Sequence, residues 1–185
     1  KNQSRQAPWY PGETLNVGIG QGYFLTTPLQ LASATSLLAS GGDSVTPHLF
    51  LKSSINNKEQ TYNYNDNKIS IDIDTDSLHI INEAMWRVIY DNDVGTASHL
   101  KKIEGIEFAG KTGTAQVYNL DKGKTGTKSL QDHALFISFA PFESPEIIVS
   151  VIVDNGGSGS AIAAPIARDI INFYFKNIKT KLAKQ

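Results

Sequence analysis

The sequence predicts an α+β domain. Three apolar, β-prone runs follow one another with short connections, at 107–118, 133–140 (HALFISFA) and 146–153 (EIIVSVIV). Such spacing reads as an antiparallel meander. Two other segments, 76–91 and 161–176, repeat apolar residues at helical intervals. A helix with one apolar stripe must bury it, and the meander is the nearest sheet able to receive it. The chain of 185 residues fits a single domain, and 1–185 is read as part of one.

The elements follow in order. Residues 1–26 read as irregular, with Pro8, Pro11, Gly12, Gly18, Gly20 and Gly22. A helix then starts at Pro28, capped by Thr27, and stops at Gly41-Gly42. VTPHLFLKS is a short strand-like run broken by Pro47. Residues 53–68, rich in Asn, Lys and Ser, read as an exposed excursion. Leu78, Ile81, Met85, Val88 and Ile89 mark the face of the 76–91 helix. Ile162, Ile166, Ile170 and Phe173 mark the face by which the last helix is expected to lie on the sheet, with Pro165 tolerated near its start.

Composition removes several classes of function. The net charge is −1, so no basic field for nucleic acid is expected. Without cysteine there is no disulfide, thiolate metal site or cysteine nucleophile. His48, His79 and His99 lack ligand spacing, so no metal is expected, and no cofactor is assigned. No run approaches the ~20 apolar residues of a membrane span. The opening, KNQSRQAPWYPGE, reads like the middle of a longer chain.

The five letters GKTGT occur twice, at 110–114 and 123–127. The first copy lies between runs that can form strand, which would fix Lys111 in register on a sheet. The second lies among Asn119, Asp121, Lys122, Lys128 and Ser129, where nothing can bury a face, so 119–131 reads as an exposed loop. The first copy also completes GIEFAGKT, a phosphate-loop pattern, and IIVSVIVD could imitate the acid strand that accompanies such a loop. A phosphate loop must feed a helix, whereas Gly113-Thr114-Ala115-Gln116-Val117 continues as strand.

Lys-Thr-Gly is one of three motifs of penicillin-binding proteins and class A β-lactamases, beside Ser-x-x-Lys and Ser-x-Asn. Ser98–Lys101 and Ser54–Asn56 have those spacings. With 16 serines, 14 lysines and 13 asparagines, about one chance match of each is expected, so the spacing alone assigns nothing. Ser98 sits in a polar stretch shortly before the candidate strand, and Ser54 in the polar excursion. Both are rejected, and no nucleophile is assigned in this chain.

The stretches WYPGETLNVGIGQGYFLTTPLQLASATSLLASGG, AGKTGTAQV and DHALFISFAPFESPEIIVSVIVDNGGSGSAIAAPIARDII closely resemble the penicillin-binding protein 2 group of class B transpeptidases. The likeness runs from Trp9 to about Phe175. The septal class B enzymes share GQG, TPLQ and KTGTA, while WYPGE, DHALF and NGG favour the elongation type. The resemblance implies the C-terminal half of a transpeptidase domain. It would hold three strands of an antiparallel sheet with flanking helices, and the nucleophile-bearing part would lie outside.

It also implies roles. Lys111, Thr112 and Gly113 would be the third motif. Lys111 would support the proton relay, Thr112 and Thr114 would bind the substrate carboxylate, and the Thr114 N–H would form half of an oxyanion hole. Gly113 would let substrate approach the strand, and His133 would be a supporting hydrogen-bonding residue. The implied partners are peptidoglycan stem peptides, β-lactams and, through regions outside the chain, a membrane glycosyltransferase of the elongation complex. The implied place is the periplasmic face of the bacterial inner membrane. Trp9 and Tyr10 are expected to anchor the core or line a groove. A non-catalytic binding module is the alternative class.

Overall fold

The structure, a computed structural model, describes residues 8–180 apart from 44, 51, 57, 62–69 and 117–130. Helix α1 (Pro11–Gly18) stands where the glycines and prolines predicted irregular chain. Pro11, which looked like a breaker, occupies its first position, and Glu13 caps the entry by accepting the Tyr10 N–H at 2.9 Å. Helix α2 (Pro28–Ala39) begins as predicted, with Thr27 Oγ1 accepting the Gln30 N–H. Strands β1 (Lys52–Ile55) and β2 (Lys58–Thr61) form a small antiparallel hairpin at the predicted excursion. Residues 45–50 are not strand, as Pro47 would require. Helix α3 (Thr75–Tyr90) is capped by Asp74, whose carboxylate accepts the Ser77 N–H at 2.8 Å.

The meander is present: β3 (Ala109–Ala115), β4 (His133–Ala140) and β5 (Ile147–Val153), antiparallel in the order β3-β4-β5. Cross-strand register places Thr112 opposite Phe136 and Gly113 opposite Leu135. Alternation then divides the sheet into two faces. One carries Ala134, Phe136, Ala140, Val149 and Val151, buried with Ile89, Ala97, Leu100 and Phe108 in the main core. The other carries Phe139, Ile137 and Ile148, packed with Ala109, Met85 and Trp86 in a smaller cluster.

The last helix spans 159–179. Its α-helical part is α4 (Ala164–Phe173), and Gly159–Ala163 and Tyr174–Lys179 are wound as π-helix. It packs on the main-core face as expected, but by a different stripe. Ala163, Ala164, Ala167 and Ile171 are buried, whereas Ile162, Ile166, Ile170 and Phe173 remain 41–58% exposed. Small alanines let the helix axis approach the strands closely, which isoleucines there would prevent. Trp9 and Tyr10 are likewise 46% and 57% exposed, so neither is a core anchor among the described residues. Trp9 instead donates to Thr14 Oγ1 at 2.9 Å and leans on Tyr23.

Candidate active site

The first GKTGT is strand, as the phosphate-loop reading would forbid. Gly110 is required by packing: a Cβ there would stand 2.5 Å from Cζ of Phe136, the buried ring of the main core. At the start of the last helix, a Cβ on Gly159 would lie 2.4 Å from the Gly113 carbonyl oxygen and 2.5 Å from that of Leu135. The helix therefore seats its first turn directly on the middle of β3. Sequence reasoning overlooked Gly159, and the run NGGSGSA just before an apolar helix was the available signal.

Strand β3 is an edge of its sheet, paired only with β4 among the described residues. Lys111, Gly113 and Ala115 share a face with their partners Ile137, Leu135 and His133. On that face a groove of about 420 Å³ runs beside the strand, lined by Gly113, Thr114, Ala115, His133 and Leu135. Its other wall is Gly20, Gln21, Phe24 and Leu31. The Gly18–Gly22 segment thus meets the candidate strand. Gln21 Nε2 donates to the Thr114 carbonyl at 3.0 Å across 93 residues of sequence.

The two threonines are not equivalent. Both side chains belong to the face of Phe136 and Ala134, opposite Lys111. Thr114 is exposed at the edge and lines the groove. Thr112 is half-buried and absent from the groove wall. Its hydroxyl lies 3.0 Å from that of Thr96, in the turn after α3. Shared parity puts both hydroxyls on one face, where both would be expected at the groove, yet only Thr114 lines it and Thr112 is turned to Thr96 instead.

Lys111 is exposed and its ammonium donates to the Thr112 carbonyl at 2.9 Å. Among the described residues no carboxylate pairs with it. His133, at the start of β4, accepts the Asn155 N–H on Nδ1 at 3.0 Å, with Asp154 Oδ1 3.5 Å away. Accepting that bond leaves Nδ1 unprotonated and puts the ring proton of the neutral form on Nε2.

The look-alike serines are where the sequence placed them. Ser98 lies in a turn, its N–H on the Gly95 carbonyl at 3.1 Å, and Ser54 is exposed on β1. Neither heads a buried helix. The second GKTGT lies outside the described residues. No helix of the described residues is long and apolar enough to cross a membrane.

This arrangement has relatives. The family model for the penicillin-binding protein transpeptidase domain matches residues 1–172. The chain is 37% identical over 182 residues to a peptidoglycan D,D-transpeptidase MrdA of Haemophilus influenzae, covering 94% of this chain and 27% of that protein. It thus spans little more than a quarter of that relative's length. Among solved structures, Pseudomonas aeruginosa PBP2 in complex with WCK 5153 superposes with a TM-score of 0.78 at 37% identity, covering 96% of this chain and 37% of the other. The penicillin G acyl-enzyme of penicillin-binding protein A from M. tuberculosis gives 0.67 at 27% identity, covering 87% and 34%. With the open β3 edge, the Lys-Thr-Gly-Thr run on it and a match over most of its length, the chain belongs to the penicillin-binding protein transpeptidase domain family.

Proposed function

We propose that this chain supplies the Lys-Thr-Gly side of a peptidoglycan D,D-transpeptidase of cell elongation. On this reading the serine nucleophile and its lysine belong to a part of the protein outside it. The open edge of β3 beside the groove carries the proposal. Thr112 and Thr114 have the same parity, and their carbonyls receive side-chain donors, so their backbone groups face away from β4. The Thr114 N–H is then available at the groove, where an oxyanion would need it.

The serine oxygen attacks the carbonyl of the penultimate D-Ala, and its proton passes into the lysine relay. Thr114 N–H supports the tetrahedral oxyanion, while Lys111 adds positive charge beside the reacting groups. The peptide C–N bond breaks, the leaving D-Ala amine takes the proton, and an acyl-serine ester remains. An amine of a neighbouring stem peptide attacks that ester, forms the cross-link and returns the serine. A β-lactam follows the first half, its ring nitrogen taking the proton. The exposed Thr114 hydroxyl is the more direct grip on the substrate carboxylate, and Thr112 acts with Thr96 beside it. Gly113 keeps the groove side of β3 free of a side chain, and His133 braces the start of β4.

The relatives named MrdA support the elongation assignment, and the penicillin G acyl-enzyme of a neighbour supports serine acyl transfer. A glycosyltransferase partner and a place at the periplasmic face of the inner membrane belong to the same proposal. The test is intact-mass spectrometry after incubation with penicillin G. The 185-residue chain should show no adduct, because nucleophile, base and oxyanion hole act as a unit. A longer protein that includes the upstream serine should gain one penicilloyl group. An adduct on Ser98 or Ser54 of the 185-residue chain would overturn the reading.

A further inference from the structure

The free edge of β3 is already partly occupied. An extended ligand adding to this edge would use the Thr114 rung, accepting from its N–H and donating an amide N–H to its carbonyl. In the structure that carbonyl is taken by Gln21 Nε2 at 3.0 Å. We propose that Gln21 is a specificity-determining residue whose side-chain amide stands in for a ligand's backbone amide and must be displaced by any ligand that donates at Thr114. The inference rests on the transpeptidase reading above.

The side chain is aimed, not merely nearby. Gly20 and Gly22, on either side of it, have φ of 74° and 71°, a left-handed backbone that side chains resist. The Gln21 N–H is tied to the Asn16 carbonyl at 2.8 Å and the Gly20 N–H to that of Val17 at 2.9 Å. Helix α1 and its terminal turn therefore present the carboxamide to β3. Gln21 itself is half-buried in the groove wall, with Gly113, Thr114 and Ala115 across from it. Lys111 covers the other outward carbonyl of this edge, that of Thr112. A ligand without a donor can use the Thr114 N–H and leave Gln21 in place, whereas a ligand with one has to exchange a bond for a bond. Gln21 thus lowers the advantage that a donor gives.

The experiment uses the longer protein and two β-lactams of matched shape, a penicillin with its acylamino N–H and the same compound N-methylated there. The readout is the ratio of their second-order acylation rates. In Gln21→Ala, and in Gln21→Glu, whose ionised side chain cannot donate, the ratio in favour of the N–H compound should rise about three- to tenfold, the range of one net hydrogen bond. An unchanged or lowered ratio in both variants overturns the inference, since it would make Gln21 a packing residue. If the wild-type protein is acylated by neither compound, the transpeptidase reading falls and the inference falls with it. That result is distinct from acylation with an unresponsive ratio.

Discussion

The two faces of the β3-β4-β5 sheet differ in how completely they are covered. Beneath the last helix, Phe136, Ala134 and Ala140 are fully buried and joined to a cluster that reaches α3. On the opposite face the buried cluster is small, Leu135 is half-buried, and a groove opens where more core would otherwise lie. One face therefore holds β3 in place and the other presents it. The residues with proposed chemistry are divided accordingly. Lys111 and Gly113 belong to the open face, while Thr112 and Thr114 share the covered face and reach solvent at the strand edge.

That division can be broken at its strongest point first. Phe136→Ala should cost about 3–5 kcal/mol in denaturant unfolding, the usual range for emptying a buried phenylalanine site. Leu135→Ala, one residue away on the open face, should cost less than about 2 kcal/mol, because much of its area is never removed from water. Equal losses would mean that the faces are equally structural. Next comes Gly159→Ala. Its Cβ would meet two backbone carbonyls on β3 and β4, which cannot swing aside, so about 1–3 kcal/mol of overpacking is expected. The same variant should alter acylation by the longer protein, since the displaced atoms belong to Gly113.

A pH-dependent contrast follows from the cap of α3. The Ser77 hydroxyl, and then its N–H, hold the Asp74 carboxyl below its ordinary value. A group whose folded pKa is depressed contributes stability at neutral pH and loses it as pH falls through the folded value. Wild type should therefore lose stability in strong acid relative to Asp74→Asn, which keeps an acceptor but does not titrate. Parallel unfolding curves below pH 4 would contradict this. The smallest effect is expected on the outer stripe of the last helix. Ile166→Ser should stay within about 0.5 kcal/mol of wild type in this chain, as for an exposed site. A loss above 2 kcal/mol would show that the stripe is covered.

Much of this was legible in the sequence. The meander, the capped start of α2, the helical stripe of α3 and the strand character of the first GKTGT followed from alternation, helical spacing, capping residues and the absence of a helix after Thr112. Four things were not legible. Helix α1 was hidden because Pro11 and Gly12 read as breakers, while their use at a helix start depends on the Glu13 cap. The buried stripe of the last helix was misassigned because isoleucines outweigh alanines on any hydrophobicity pattern, yet only alanines permit the close approach at Gly159. The grip of Gln21 on Thr114 joins residues 93 apart, and no local pattern reports such a contact. The contact that keeps Thr112 from the groove comes from Thr96, 16 residues away, and alternation along β3 does not report it.

The central claim is that the first GKTGT, on the sheet, carries the chemistry and the second does not. It is tested most directly by comparing Lys111→Ala with Lys124→Ala in the longer protein, reading the second-order rate of acylation by penicillin G. Removing a group that supports proton transfer at the reacting centre typically costs ~10²–10⁴-fold. Lys111→Ala should fall by at least about a hundredfold with its unfolding midpoint unchanged, and Lys124→Ala should acylate at the wild-type rate. A large loss at Lys124 with little at Lys111 would contradict the account.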